Sequence, residues 1–296
     1  MSPLPAEAAD IAEALRRYDL ALERAGKAAR TALMYESQAT RPPESMQPFR
    51  LRMAALHRRS EQRQRACARL YRHYAIRLLR WHTGGASTRR PVFMTVVADQ
   101  IRMESAVVIL FDEHRHELLA AVSDATARTV HDTEAVLGDG PALDIAAGTD
   151  EIFATDADLS RQWPEFGSAV SNLGIRTVLA VPLRVGSRRL GALCGYSREF
   201  SSGADILGCA AAVADTLTTT VLLGEQDDKT GDFPLRGTFF DDADYPNTID
   251  QATGLVAAQH GRDLDAALAL LRARAFAEGV PLTRIADQVL RDGRLR

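Results

Sequence analysis

The side chains best suited to chemistry in this chain are arginines near its C-terminus. Between residues 264 and 278 the apolar positions Leu264, Ala267, Leu268, Leu271 and Ala275 recur at helical spacing and form one stripe. At about 100° per residue, Arg272 falls roughly 80° to one side of that stripe and Arg274 roughly 80° to the other. Arg284 and Arg291 lie seven residues apart, on one face of the next helix. Guanidinium groups so arranged can pair with phosphate oxygens and stack on splayed loop bases of RNA. Against this, Arg284 and Arg291 both lie near Asp287, and the last fifty residues carry 7 Arg against 6 Asp and Glu. Taken alone, these residues read more plainly as a solvated helical surface.

Other groups offer less. His114-Arg115-His116 sits among Asp112, Glu113 and Glu117, all able to hold a metal, but at the turn between two expected strands. A solvated turn is the better reading, and no metal is expected. Gly138-Asp139-Gly140-Pro141 lacks the Lys-Ser/Thr ending of a phosphate-binding loop and reads as a structural turn. Cys67, Cys194 and Cys209 are far apart and show no CxxC or zinc spacing. They are expected to be buried, inert thiols. No catalytic constellation emerges, so the sequence does not point to an enzyme, and no cofactor is implied.

The elements that must position these groups fall into modules. In the last fifty residues three short helices each end at a glycine: Gly261, Gly279 and Gly293. Asp263 suits an N-cap and Pro281 a first helical turn. Helices this short must share one small core. At the other end, residues 6–37 read as one long helix. Its seam of Ile11, Leu15, Tyr18, Leu22, Ala25, Ala29 and Ala32 is heptad-like. A second helix runs from about Pro48 to Trp81, with an apolar face through Phe49, Met53, Leu56, Cys67, Tyr71, Tyr74 and Leu78. Together they suggest a helical hairpin over 1–88. Residues 91–223 form a mixed module. A helix starts at Pro91, strands are expected at Ser105–Phe111, Leu118–Val122, Thr177–Leu183 and Arg189–Tyr196, and Asp205–Leu223 closes as an apolar helix.

Charge is divided among these modules. Residues 1–90 hold 18 Arg and Lys against 8 Asp and Glu, and residues 91–223 hold 9 against 18. Residues 41–90 alone hold 13 Arg against 2 Glu. That basic helix could add RNA affinity, or answer the acidic module across a domain or subunit interface; the interface is the slightly better reading. Residues 224–246 carry 2 against 7 and read as an acidic linker. A solvated spacer is the plainer role. The other is an acidic strand that competes with phosphate for the bundle's arginines. No signal peptide and no membrane-spanning run is present, so a cytoplasmic location is expected, without membrane contact. Only two lysines among 36 basic residues, with abundant alanine, fit a GC-rich bacterial genome.

Residues 247–296 resemble the ANTAR domain, an RNA-binding module of transcription antiterminators. The resemblance rests on Gln251-Ala252-Thr253-Gly254, Ala267 to Arg272, Ala275-Phe276, Pro281-Leu282 and Ile285-Ala286. Residues 91–223 resemble a GAF domain, a small-molecule sensing fold. Here the matching residues are Leu137 to Pro141, Trp163 to Phe166, Gly174 to Val178, Val181-Pro182-Leu183 and Leu190 to Leu193. GAF followed by ANTAR is an arrangement of actinobacterial regulators. These resemblances imply an α+β protein: a helical hairpin, a GAF domain with an antiparallel sheet, and a three-helix ANTAR bundle. They imply RNA stem-loops as partner, bound through Gln251, Ala252, Gly254, Arg272, Arg274, Arg284 and Arg291. They also imply a small-molecule pocket near Phe111, Trp163, Phe166 and Tyr196. The hairpin's seam implies a homodimer. Thr253, where many ANTAR members carry lysine, and the near-neutral bundle motivate the alternative. That alternative is a ligand-sensing or dimerising regulator that acts by protein contact through an ANTAR remnant.

Overall fold

The computed structural model describes residues 6–84, 90–200, 203–222 and 247–295. The acidic linker over 224–246 and its competing-strand reading lie outside the described residues. Two long helices open the chain, α1 (Ala6–Gln38) and α2 (Gln47–Thr83), and pack as an antiparallel hairpin. Their contact is built largely from alanine. Ala14, Ala21, Ala25 and Ala32 are buried, while the larger seam residues Leu15 and Leu22 are 45% and 41% exposed. Small side chains let the backbones approach, so Ala25 and Ala32 of the seam that spacing picks out are buried and Ile11 and Tyr18 pack on the core, while its leucines lie outside the contact.

The C-terminal half of α2 belongs to a second core. Cys67, Leu70, Tyr71, Tyr74 and Leu78 are buried against α3 (Phe93–Gln100), the sheet and α8 (Gly203–Thr216, continued as a π-helical segment Leu217–Leu222). The first half packs mainly on α1 among the described residues, and Phe49 and Leu56 on it are exposed. Arg63 pairs with Asp215 on α8 and Arg77 with Asp99 on α3, both at 2.5 Å. Part of the basic helix therefore answers the acidic module within one chain. These pairs are partly exposed, so they fix register more than they stabilise.

The sheet has five strands: β1 (Ser105–Phe111), β2 (Glu117–Val122), β3 (Ile152–Thr155), β4 (Thr177–Val185) and β5 (Arg188–Ser197). Their order is β2-β1-β5-β4-β3, every neighbouring pair antiparallel. The strands alternate faces. Val108, Leu179 and Leu193 face the core shared with α2, α3 and α8. Val107, Val178 and Cys194 face the opposite core. Over that second face lie α4 (Ala125–Leu137), α5 (Pro141–Ala147), α6 (Ala157–Gln162) and α7 (Pro164–Asn172). The helix expected from Pro91 begins instead at Phe93, because Val92 is extended and caps it.

Three helices close the chain as a bundle: α9 (Asn247–His260), α10 (Leu264–Glu278) and α11 (Leu282–Asp292). Asp263 caps α10, its carboxylate accepting from the Ala266 amide at 2.7 Å. Gly261, Gly279 and Gly293 all take positive φ at the helix ends. Pro281 precedes α11 as its N-cap. The bundle is not free-standing: Val136 of α4 packs on its core. Among the described residues no helix is long and apolar enough to cross a membrane.

Candidate functional site

The bundle core is small and apolar: Ala252, Val256, Leu271, Ala275, Ile285 and Val289 are almost fully buried. Arginines surround it in two different settings. Arg274 is exposed and pairs with Glu278, one helical turn on, at 2.5 Å. With Arg291, Arg294 and Gln288 it lines a cleft of about 340 Å³ between α10 and α11. Arg284 is exposed on α11 but lies outside that lining. Gln251 is exposed on α9, and Gly254 is half-buried with nothing within 4 Å of where a Cβ would stand. Ala252 turns its methyl into the bundle core. Thr253 is buried, and its hydroxyl donates to the Ile249 carbonyl at 2.7 Å.

Arg272 occupies the other setting. It is half-buried against α4 of the sheet domain. Its guanidinium sits over Gly138, where an added Cβ would stand 3.1 Å from Nη1. Burial lowers its pKa, and nearby Asp265 only partly opposes this. Its Nε has no hydrogen-bond partner among the described residues. The two arginines that flank the α10 stripe thus face opposite ways, Arg274 to solvent and Arg272 to the sheet domain.

Between the bundle and the sheet domain lies a cavity of about 530 Å³. Both sides build it. Ile109, Phe111 and Leu118 come from β1 and β2, and Ile249, Leu268 and Leu282 come from the bundle. Two buried ionisable residues of α4, His131 and Glu134, also line it. His131 Nε2 donates to Glu117 on β2 at 3.1 Å. Burial works against the imidazolium, but Glu117, Glu134 and Asp132 together outweigh it and raise the pKa. Glu134 accepts from the Ala142 and Leu143 amides at 2.7 and 3.1 Å, the first turn of α5. Gly140 makes room for this, since a Cβ there would meet the Glu134 carboxyl at 2.7 Å. Burial raises the Glu134 pKa to about 7, despite both amides and the charge on His131.

The four aromatics named from sequence divide. Phe111 lines the cavity. Trp163, Phe166 and Tyr196 are fully buried in the core beneath α4–α7. Trp163 donates from Nε1 to Asp144 at 3.1 Å and meets Phe166 edge-on, their ring centroids 5.8 Å apart. His114 and His116 are exposed in a tight turn closed by Asp112, which accepts from both their amides. No group of three or more His, Cys, Asp or Glu side chains poised for a metal occurs among the described residues. Cys194 is buried, and burial pushes its thiol well above the ordinary range, as an inert core cysteine requires.

Sequence reasoning does not single out His131 and Glu134, and it names Glu117 only beside the His114–His116 turn. The usable signal was Asp124, which caps α4 by accepting from the Ala127 amide at 2.9 Å, with Gly138 ending the same helix in the left-handed conformation. With that helix drawn, His131 and Glu134 fall one turn apart on one face.

Residues 245–290 match the family model of the ANTAR domain. Among curated proteins, none matches the chain. Among solved structures, one similar chain is the photoproduct state of GAF3 from Slr1393 of Synechocystis sp. PCC6803. It is 14% identical, with a TM-score of 0.35, over 45% of this chain and 92% of that one. Another is Escherichia coli SdiA, 12% identical with a TM-score of 0.35, over 74% of this chain and 96% of that one.

Proposed function

We propose that this protein is a regulator that binds RNA stem-loops through its C-terminal bundle and acts by transcription antitermination. Binding favours an antiterminator hairpin over a terminator, so transcription reads through. The sheet domain is a GAF-type sensor that responds to a small molecule, and the protein is not an enzyme. One observation carries the RNA reading. Arg274, within the segment that matches the ANTAR domain, shares one surface cleft with Arg291 and Arg294 just beyond that segment, beside Glu278 and Asp292. Several guanidinium groups along one groove suit the phosphates and unstacked bases of a loop better than a duplex groove.

The N-terminal hairpin pairs two copies of the chain. Leu15, Leu22, Leu33 and Leu56 are exposed along it, and leucines so placed stabilise a homodimer when covered. Sedimentation of the full chain and of a form lacking residues 1–88 tests this. A monomeric full chain at micromolar concentration would end the dimer reading.

A second reading gains support from Arg272. With that arginine held by the sheet domain, the bundle can act by protein contact and not bind RNA at all. Crosslinking followed by RNA sequencing separates the two. RNA binding predicts enriched stem-loops that disappear when Arg274, Arg291 and Arg294 are changed to Ala. The protein-contact reading predicts no enrichment.

A further inference from the structure

We propose that the cavity between the sheet domain and the bundle binds a small organic cation, a protonated amine on an apolar body, and that its occupancy clamps the bundle onto α4. This deepens the sensory half of the function proposed above and rests on it; it does not depend on RNA binding. The cavity's volume, about 530 Å³, lies within the range of small-molecule pockets. Its walls are mainly apolar, with Ile109, Phe111 and Leu118 facing Ile249, Leu268 and Leu282. An apolar body of one or two rings suits such walls.

The polar part of the lining selects charge. Five carboxylates border the cavity, from Asp112, Glu117, Glu134, Asp250 and Asp265, against two arginines, Arg115 and Arg272, and three histidines, His114, His116 and His131. The carboxylates come from both sides and crowd one another. Asp250 of α9 is held above the usual carboxylate range by burial and by Asp112 and Glu117, while His116 offsets only part. Deeper in, Glu134 is 98% and His131 94% buried, yet Glu134 Oε2 and His131 Nδ1 have no hydrogen-bond partner among the described residues. The Glu134 oxygen, buried and unmatched on a residue that lines the cavity, is where a ligand's N–H gains most, whereas Nδ1 of a protonated His131 only donates. A bare metal ion does not fit, because no cluster of three ligating side chains forms here among the described residues. An ammonium group with an apolar body answers both features: it offsets the carboxylate excess and covers the leucines.

The walls also set the consequence. Thr253, Asp265, Leu268 and Arg272 of the bundle line the same space as His131 and Glu134. A molecule touching both sides binds the docked arrangement better than the undocked one. By linkage it stabilises docking by its differential affinity.

The test uses the full-length protein and matched probes: tryptamine, its neutral analogue 3-propylindole and its anionic analogue indole-3-propionate, with phenethylamine and phenylpropionate as a second series. Titration calorimetry and thermal melting are read together. The expected result is saturable binding of the amines, a melting temperature raised by a few degrees, and acids at least about tenfold weaker. Leu268→Trp, which fills the cavity from the bundle side, abolishes amine binding. Asp250→Asn, an exposed substitution that leaves folding intact, weakens it several-fold. Acids that bind as well as amines would overturn the ligand class. Binding that survives both Leu268→Trp and Asp250→Asn would overturn the site while leaving the sensory function standing. No binding by either amine would overturn the inference alone, because sensing as such fails only if a broad metabolite screen also leaves the melting temperature unmoved.

Discussion

The two sides of helix α10 make the sharpest contrast in the molecule. On one side Arg274 sits in water beside Glu278, at the edge of a polar cleft. On the other, two residues earlier, Arg272 is pressed onto Gly138 with one N–H unmatched among the described residues, beside a cavity lined by leucines and the buried Glu134. The same residue type on one helix is therefore exposed to solvent on one side and half-buried against a second domain on the other. Composition cannot distinguish these settings, since both arginines flank the same apolar stripe at equal angles. What separates them is the docking of a second domain. The outer side keeps its arginine in solvent. The inner side stores desolvated charge, and that makes it sensitive to pH, substitution and ligand.

The largest expected effect tests whether the bundle is a separate unit. Leu271 is fully buried at the centre of a core of mostly small residues. Leu271→Ala should cost about 2–5 kcal/mol. Hydrogen exchange should show protection lost across α9, α10 and α11 while the sheet keeps its own. Loss across β1, β4 and β5 as well would mean that the two regions unfold as one, and the contrast between the sides of α10 would lose its meaning.

The next effect belongs to the inner side and is set by pH. Glu134 titrates at about 7 in the folded protein, above its ordinary 4.5. Between these values the native state holds a proton that the unfolded chain has lost. Stability is therefore greatest below about pH 4.5 as far as this group is concerned, and it falls as pH rises through 7. The full difference is roughly 3 kcal/mol. His131 is raised too and acts in the same direction. The groups facing this pair are Glu117, Asp132 and the amides of Ala142 and Leu143. Glu134→Gln keeps an acceptor for both amides and removes the charge. Its melting temperature should exceed that of the parent at pH 8, with the gap closing at pH 5. An equal gap at both values would show that the carboxyl is not the titrating group.

Much of this architecture was legible from residue order. The bundle's helix ends could be read because Asp263, Gly261, Gly279 and Gly293 carry their signals locally. Strands β1 and β4 were legible from runs of Val, Leu and Ile. Helix α4 was not drawn, although Asp124 and Gly138 bracket it, because Gly138 was read only as part of the turn that follows. Strand β3, with four residues, and α6, with six, are too short to show a period. The cavity could not be read at all. It exists only where α9 and α10 come to rest near the β1–β2 turn, over a hundred residues away in sequence, and no local pattern encodes that approach. Glu134 shows the same limit: an isolated glutamate in a polar stretch becomes a buried acid only once α5 lies across it.

On the outer side, Arg274→Ala and Arg291→Ala should each weaken binding of a stem-loop by about 1–3 kcal/mol at fixed salt, leaving the melting temperature unchanged. Because both act through charge, raising the salt should narrow the difference from the parent. Filter binding across a salt series checks this. A loss of affinity that came with a loss of stability would mean that the cleft is part of the bundle's structure and not a surface held ready for RNA.

The smallest effect falls on the contact between the two sides. Gly138 has φ +68°, a conformation that alanine adopts only with strain, and its Cβ would stand 3.1 Å from the Arg272 guanidinium. Gly138→Ala should therefore cost about 1 kcal/mol in the sheet domain from the backbone alone. It should also crowd the Arg272 guanidinium, which must give way. Arg272→Ala reaches the same contact from the bundle, with no strain on α4. If docking holds Arg272 away from RNA, the two variants differ in a way that stability does not predict. Gly138→Ala frees a guanidinium and should bind a stem-loop about two- to fivefold more tightly, a shift of roughly 0.4–1 kcal/mol. Arg272→Ala also removes the contact with Gly138 but takes that cation with it, so its affinity should stay at or below the parent's. Melting and RNA titration of both variants supply the comparison. If Gly138→Ala leaves RNA affinity unchanged while hydrogen exchange reports α10 loosened from α4, then Arg272 serves only to join the two domains, and RNA is met by the outer side alone.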